Sequence, residues 1–199
     1  MSKKDEILKI ASQAFAKYGY EGVSMDFIAK KAKITKAAIY YHFKSKHDLF
    51  EIILTKRITE LGENLKICKY TNPKENLKCY IFTTAEIYKK YPCFAAILAH
   101  EFVNGGKNLN ENLIHILSLN VFKKLVNILN KGVKKDIFEI NNPFTVQLMI
   151  MSSLLMNQTT ENLRKKISQY IDIPVKTDIQ TIAKSIHEKV LKAISKENK

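Results

Sequence analysis

The chain has 199 residues, 46% of them hydrophobic, and a formal net charge of +14. The hydrophobic fraction supports a folded core and argues against global disorder. No apolar run reaches the roughly 18 to 20 residues that span a bilayer, and the N-terminus lacks the apolar stretch of a secretory signal. We therefore expect a cytoplasmic protein without a membrane partner, whose positive charge favours an anionic partner.

The three cysteines give no sign of a metal or disulfide framework. Cys68, Cys79 and Cys93 are odd in number and lack C-x-x-C spacing. We expect free thiols in a reducing compartment, with a redox-sensing cysteine as the alternative. No metal or other cofactor is predicted.

The first predicted helix shows the spacing that recurs along the whole chain. Apolar residues return at intervals of three and four, which is typical of amphipathic α-helices. The stripe of this helix consists of Ile7, Ala11, Ala14, Phe15 and Tyr18. Gly19 is expected to end it, because glycine accepts the left-handed conformation without a Cβ clash.

Residues 24–46 are predicted to form two short helices joined by a tight turn. Ser24 and Thr35 are suited to cap the two helices, because their hydroxyls can accept orphan N–H groups. In the second helix, residues 36–42, Ile39 is taken to face the core, with Phe43 about 40° away. Ala37 and Tyr41 then point outward, about 160° from Ile39. This outward face, with Lys36 at its N-terminal end, fits the major groove of DNA.

The prolines mark the helix boundaries in the rest of the chain. Pro73, Pro92 and Pro143 each stand where a helix can begin, since proline fits the first helical turn. Gly105 and Gly106 close the sixth helix. With helices over about 46–67, 111–135 and from 178 onward, the sequence predicts an all-α fold of nine helices, with a head at 1–47 and a body at 48–199.

The head resembles that of a known family. The strings AFAKYGYEGVSMDFIAKKAKI and TKAAIYYHFKSKHDLF, within about residues 5–52, are similar to the TetR family of bacterial one-component regulators. The resemblance implies a TetR-like fold with a helix-turn-helix domain and a helical effector-binding and dimerisation domain. It also implies a homodimer that binds a palindromic double-stranded DNA operator. Phosphate contacts are expected from Thr35, Tyr40, His42 and Lys46 and base contacts from Lys36, Ala37 and Tyr41, and Ser24 and Ala38 complete the expected DNA-binding set.

One position departs from the family pattern. Lys33 stands where the turn of the motif usually carries glycine. A residue other than glycine with positive φ costs roughly 1 kcal/mol, so the turn is either adjusted or strained. Ala38 also replaces a residue with a polar side chain, which removes a possible base contact.

The last two predicted helices are candidates for the dimer interface. The eighth is apolar nearly all round, and the ninth carries one apolar stripe. The family resemblance implies that both pack against their copies in a four-helix interface, although the stripe of the ninth would equally suit packing within one subunit. The candidate interface residues are Leu148, Met151, Leu155, Ile179, Ile182, Ile186 and Val190.

An effector pocket is expected among the aromatic residues of the fifth and sixth helices. A concave apolar site with a few polar groups is what a small ligand needs, but aromatic residues at helical spacing are also typical of a core. Met149, Met151 and Met156 of the eighth helix could line an adaptable, hydrophobic pocket, although burial in the interface would explain them equally well. The candidate pocket residues are Tyr80, Tyr88, Tyr91, Phe94, His100, Phe102 and Met149.

The leading functional hypothesis is a repressor that a small, hydrophobic ligand releases from its operator. An enzyme is not expected, because the sequence has no HExxH, no GxSxG and no phosphate-binding loop, and no catalytic residues are assigned. The alternative is a ligand-independent DNA-binding protein with an architectural or division-control role. A body filled completely by side chains would favour the alternative, and a cavity would favour the regulator.

Overall fold

The architecture is all-helical, as predicted. The computed structural model describes residues 2–175 and 178–196, and within them the sole β-type pairing is an isolated bridge between Phe138 and Ser195. The helices are α1 (Lys3–Tyr18), α2 (Met25–Ala32), α3 (Lys36–His42), α4 (Lys46–Asn64), α5 (Pro73–Lys90), α6 (Pro92–Val103), α7 (Glu111–Leu117), α8 (Lys123–Lys134), α9 (Pro143–Thr159), α10 (Glu161–Ile171) and α11 (Ile179–Ile194). A 3₁₀ turn at Leu65–Ile67 extends α4, and a π-helical segment at Ser118–Phe122 joins α7 to α8.

The helix count is close to the predicted nine. If α7, the π segment and α8 are counted as one continuous helix, the described part of the chain has ten helices. The additional one is α10, which buries none of its residues within the described structure. In the same residues, no helix combines the length and hydropathy needed to cross a membrane.

Side-chain caps set the start of most helices. Oxygens of short polar side chains accept the N–H groups that the first helical turn leaves unpaired. The capping residues are Ser2, Ser24, Thr35 and Ser45 in the head and Asn72, Asn110, Asn142 and Asp178 in the body. Pro73, Pro92 and Pro143 occupy the first turn of their helices, as predicted.

Gly19 ends α1, as predicted, in a conformation that favours glycine more strongly than the left-handed helix does. Its φ is 68° and its ψ is 174°, a region that is essentially restricted to glycine. The extended ψ directs the chain away from α1 and into the loop before α2.

The head packs around a small apolar core. Phe15, Ile28, Ile39, Phe43 and Phe50 are all almost completely buried there. The prediction that Ile39 and Phe43 share the core side of α3 is therefore confirmed. Because that side is fixed, the opposite face of α3 must lie toward solvent.

The head and body are joined by a continuous helix and by polar contacts. Helix α4 runs through the expected boundary between residues 47 and 48 without a break. A ring nitrogen of His100 on α6 lies 3.2 Å from the carbonyl oxygen of Ala16 on α1. Asn110 and Asn112 donate to the carboxylate of Glu51 on α4, at 2.9 and 2.6 Å. The head is thus fastened to the body at α1 and at α4.

The expectation of three free thiols is wrong. Cys68, after the 3₁₀ turn, and Cys79, on α5, form a disulfide, and Cys93 is the free cysteine. The spacing rules that argued against a disulfide framework concern disulfide-rich and zinc-binding chains, and they do not exclude one bond between neighbouring segments. The bond ties the end of α4 to α5.

The apolar stripe of α11 packs inside the subunit. Ile179, Ile186 and Val190 are buried, with Ile186 only 7% exposed, and α11 lies against α5 and α9. Burial by these neighbours accounts for the stripe without a partner chain. Of the predicted interface residues on α9, Met151 and Leu155 are also buried within the subunit, whereas Leu148 is 66% exposed.

Candidate functional site

Helices α2 and α3 form a helix-turn-helix with an exposed second helix. Tyr41 is 87% exposed, Ala37 is exposed, and Tyr40 is about half exposed. Thr35 caps α3 by accepting the N–H of Ala38 at 3.2 Å. Two small residues and two tyrosines therefore lie on or beside the face of α3 that is turned away from the core.

The turn of the motif accepts Lys33 in the left-handed conformation. Lys33 has φ 52° and ψ 45° and serves as the C-cap of α2, where its N–H donates to the carbonyl oxygens of Ala29 and Lys30. The geometry is thus the one that usually calls for glycine, and the strain described for this position is retained. Lys33 itself is exposed beside the recognition helix.

Replacing Lys33 by glycine is expected to raise the free energy of unfolding by up to about 1 kcal/mol, because glycine adopts positive φ without a Cβ clash. Chemical denaturation followed by circular dichroism measures this change. Lys33→Ala is the matched control, since it removes the same charge but keeps the Cβ. If Lys33→Ala stabilises the protein as much as Lys33→Gly, the gain comes from charge and not from the backbone.

Two of the lysines expected at the DNA are held by contacts within the head. The ammonium of Lys36 donates to the Asp26 carboxylate at 2.8 Å, a hydrogen bond that raises the pKa of Lys36. Lys46 donates to the carbonyl oxygen of Tyr20 at 3.0 Å and lies 3.9 Å from the centre of the Tyr20 ring. Lys46 therefore pins the loop after α1 to the start of α4, and it would have to exchange a partner to bind a phosphate.

The remaining residues of the expected DNA-binding set surround the same face. Ser24 caps α2 by accepting the N–H of Phe27 at 3.1 Å. Ala38 and His42 are partly buried along α3, and the His42 ring meets the Tyr41 ring edge-on at 5.1 Å. The members from Thr35 to His42 thus lie on α3 or cap it, whereas Ser24 caps α2 and Lys46 lies on α4. The roles of these residues toward phosphate or base stay predictions.

A second feature, in the body, is an apolar cavity of about 730 Å³. It lies between α6, α9 and the continuous helix that α7 and the π segment form with α8. Its lining consists of Ala99, Phe102, Val103, Gly105, Gly106, Leu109, Ile114, Leu117, Ser118, Val121, Phe122, Phe144, Gln147, Leu148, Met151, Ser152, Leu155 and Met156. The volume falls within the range of roughly 300 to 1,000 Å³ that is typical of small-molecule sites.

Most residues predicted for the pocket lie outside this cavity. Phe102 lines it, but Phe94 is buried in the core, and His100 lies at a shallower surface pocket of about 600 Å³. Tyr91 donates to Glu60 at 2.7 Å, near the junction of head and body. Met149, on α9, is not among the lining residues.

Tyr80 and Tyr88 stand directly behind the cavity wall. Both are fully buried, and burial raises the pKa of each hydroxyl above its ordinary value. The Tyr80 hydroxyl donates to Oε1 of Gln147 at 3.3 Å, and that of Tyr88 donates to the sulfur of Met151 at 3.6 Å. The two tyrosines therefore hold two residues that do line the cavity.

The cavity residues that the sequence did not predict come largely from the π segment and from α9. Phe122 stacks on Phe144 with ring centres 4.5 Å apart, and both residues line the cavity. Gln147 had a usable signal, because it is a long polar side chain in an otherwise apolar stretch. Nothing in the sequence of the π segment distinguishes it from an ordinary α-helix, so its contribution to the cavity could not be predicted.

The fold and the exposed recognition helix together define a helix-turn-helix DNA-binding protein. The family model described as bacterial regulatory proteins, tetR family, matches residues 7–53. The head is therefore similar to the DNA-binding domain of TetR-family transcriptional regulators.

Named relatives agree with this assignment over different shares of the chain. The HTH-type transcriptional repressor NicS of Pseudomonas putida is 27% identical over 76% of this chain and 73% of its own. The HTH-type transcriptional regulator QacR of Staphylococcus aureus is 35% identical over 49% of this chain and 53% of its own. These relatives are transcriptional regulators and not enzymes.

A solved structure supports the fold over nearly the full length. The ketosteroid transcriptional regulator KstR2 of Mycobacterium tuberculosis superposes with a TM-score of 0.76. The match covers 98% of this chain and 96% of that one, at 20% sequence identity. At this identity the similarity concerns the fold alone.

Proposed function

We propose that the protein is a transcriptional repressor that binds a palindromic operator as a homodimer and is released by a small hydrophobic ligand. The head at 1–47 would read the DNA, and the body at 48–199 would bind the ligand and a second copy of the chain. Operator DNA lies in the bacterial cytoplasm, where we place the protein. The relative NicS is named as a transcriptional repressor, which supports repression as the activity proposed here.

The observation that carries the DNA-binding half is the exposed face of α3. A tyrosine that is 87% exposed on a short capped helix contributes little to folding. Exposed lysines at 30, 31, 33, 36 and 44 lie on α2, in the turn, at the start of α3 and just after it, and positive charge near a recognition helix favours the phosphate backbone. Small and aromatic side chains on the helix would then lie against base edges in the major groove.

The cavity in the body favours a ligand-responsive regulator over a ligand-independent DNA-binding protein. A body packed solidly by its own side chains would leave no place for an effector, whereas this one has an open pocket of about 730 Å³ lined mainly by apolar residues. A ligand that binds one spacing of the two heads better than another would shift the population toward it. Operator affinity would then fall as ligand is added.

The homodimer is supported by apolar surface that the subunit leaves exposed. Leu163 and Ile167 on α10 are about half exposed or more, and so are Leu148 and Met156 on α9, which also line the cavity. A second copy of the chain would cover these residues, whereas the α11 stripe is already covered by α5 and α9. We therefore assign the dimer surface to the outer faces of α9 and α10.

Selection of bound duplexes from a random DNA pool tests the proposal directly. Two heads related by a twofold axis are expected to enrich a palindrome, with half-sites separated by about one helical turn, roughly 34 to 36 Å, or a variation on it. Sedimentation of the protein with the selected duplex should give an even number of subunits per site. Enrichment of a single half-site, or none, would contradict the homodimeric operator-binding role.

A further inference from the structure

The cavity wall contains no ionisable side chain. Among its lining residues there is no Asp, Glu, Lys, Arg or His, and the polar side chains are those of Gln147, Ser118 and Ser152. A charged group transferred from water into such surroundings would lose its hydration without gaining a partner of opposite charge. The wall therefore disfavours charged ligands of either sign.

Gln147 is the polar residue best placed to orient a ligand. Its Oε1 accepts the hydroxyl of Tyr80, which is buried behind the wall and stays protonated. With the oxygen held on that side, the amide NH₂ lies on the other, and the described residues give it no hydrogen-bond acceptor. Gln147 therefore presents donors, rather than acceptors, to the cavity.

The two serines are weaker candidates for this role. The hydroxyl of Ser152 donates to the carbonyl oxygen of Leu148 at 2.5 Å, one turn earlier in α9, so its proton is already used. Ser118 is exposed at the start of the π segment. Neither has a buried partner comparable to Tyr80 that would fix its direction.

We propose that the effector is an uncharged, largely apolar molecule with a hydrogen-bond acceptor, and that the Gln147 amide is its anchor. This inference rests on the proposed ligand-responsive function and narrows it to a class of ligand. The apolar part of the molecule lies against the aromatic residues Phe102, Phe122 and Phe144, and its carbonyl, ether or hydroxyl oxygen accepts from Gln147. An anion or cation of the same shape is disfavoured by the lack of a counter-charge on the wall.

Three probes of similar size separate the parts of the proposal in isothermal titration of the full-length protein. Methyl decanoate is neutral and carries an acceptor, decanoate is charged, and hexylbenzene is neutral without a carbonyl oxygen. Methyl decanoate is expected to bind at least tenfold more tightly than decanoate. Binding of decanoate that is as tight as that of methyl decanoate or tighter, or failure of methyl decanoate to bind, would overturn the assigned ligand class.

Gln147→Leu tests the anchor. The loss of one net hydrogen bond is expected to weaken the binding of methyl decanoate roughly three- to tenfold. Hexylbenzene, which has no acceptor for this bond, should bind as well as before or better. The ratio of the two affinities is the readout, because it does not depend on the fraction of folded variant. Ser152→Ala is the matched control on the same wall and should leave that ratio unchanged. An unchanged ratio in Gln147→Leu would remove Gln147 as the anchor.

Operator release is measured separately, by adding methyl decanoate to the protein bound to its selected duplex. If the ester binds through Gln147 but does not release the DNA, the ligand class stands and the release mechanism of the proposed function fails. If the ester fails to bind while the protein still selects a palindrome, the DNA-binding function stands and the ligand class fails.

Discussion

Replacing Tyr41 by alanine is expected to weaken binding to the selected operator by roughly 2 to 6 kcal/mol, because each of two heads loses a base contact of about 1 to 3 kcal/mol. Tyr41 is 87% exposed, so its removal should leave the fold and its stability nearly unchanged. Affinity for a scrambled duplex, which depends on phosphates, should hardly change. The variant thus loses discrimination rather than general DNA binding.

Fluorescence anisotropy with operator and scrambled duplexes at one fixed salt concentration measures this difference. Tyr70→Ala is the matched control, since Tyr70 is 54% exposed in the loop before α5, outside both α3 and the assigned dimer surface. It should bind both duplexes like the unaltered protein. Operator preference that survives the loss of Tyr41 would assign base reading to another residue of α3.

Breaking the Cys68–Cys79 disulfide is expected to lower the free energy of unfolding by about 2 to 3 kcal/mol, the loop-closure entropy for a short loop. The two cysteines are 11 positions apart in sequence. Urea unfolding followed by circular dichroism, with and without a thiol reductant, measures the loss. Cys68→Ser should match the reduced protein and show no further response to reductant.

Cys93→Ser is the control for this experiment. Cys93 is the free cysteine, and burial raises the pKa of its thiol. The variant should keep the full response to reductant, because its disulfide is intact. Equal unfolding midpoints of the unaltered protein with and without reductant would show that the bond adds no stability.

The head could be predicted because its determinants are local. Ser24 and Thr35 cap helices that start one residue later, and the spacing of Ile39 and Phe43 alone fixes the inward face of α3. Lys33 stands out as the departure in the turn, where the sequence leaves open an adjusted or a strained backbone; its φ of 52° shows that the left-handed conformation is kept. Each of these inferences needs only a few consecutive residues.

The body was less predictable because its determinants lie between distant segments. An apolar stripe such as that of α11 shows that the helix is covered but not whether by its own subunit or by another. The cavity depends on the space left where α6, the π segment and α9 meet, which no single periodicity encodes. The contact between Lys46 and Tyr20 could not be predicted for the same reason, since it joins residues 26 positions apart.

The close contact at Gly62 gives α4 the geometry of a lever. A Cβ at Gly62 would lie 2.6 Å from the Cβ of Asn120, so only glycine lets the π segment rest directly on α4. Asn120 is followed by Val121 and Phe122, which line the cavity. From Gly62 to Lys46 the helix is about 24 Å long, so a tilt of roughly 5° at the cavity end would displace the other end of α4 by about 2 Å. A small displacement at the cavity would thus be magnified at the end of α4 that carries the head.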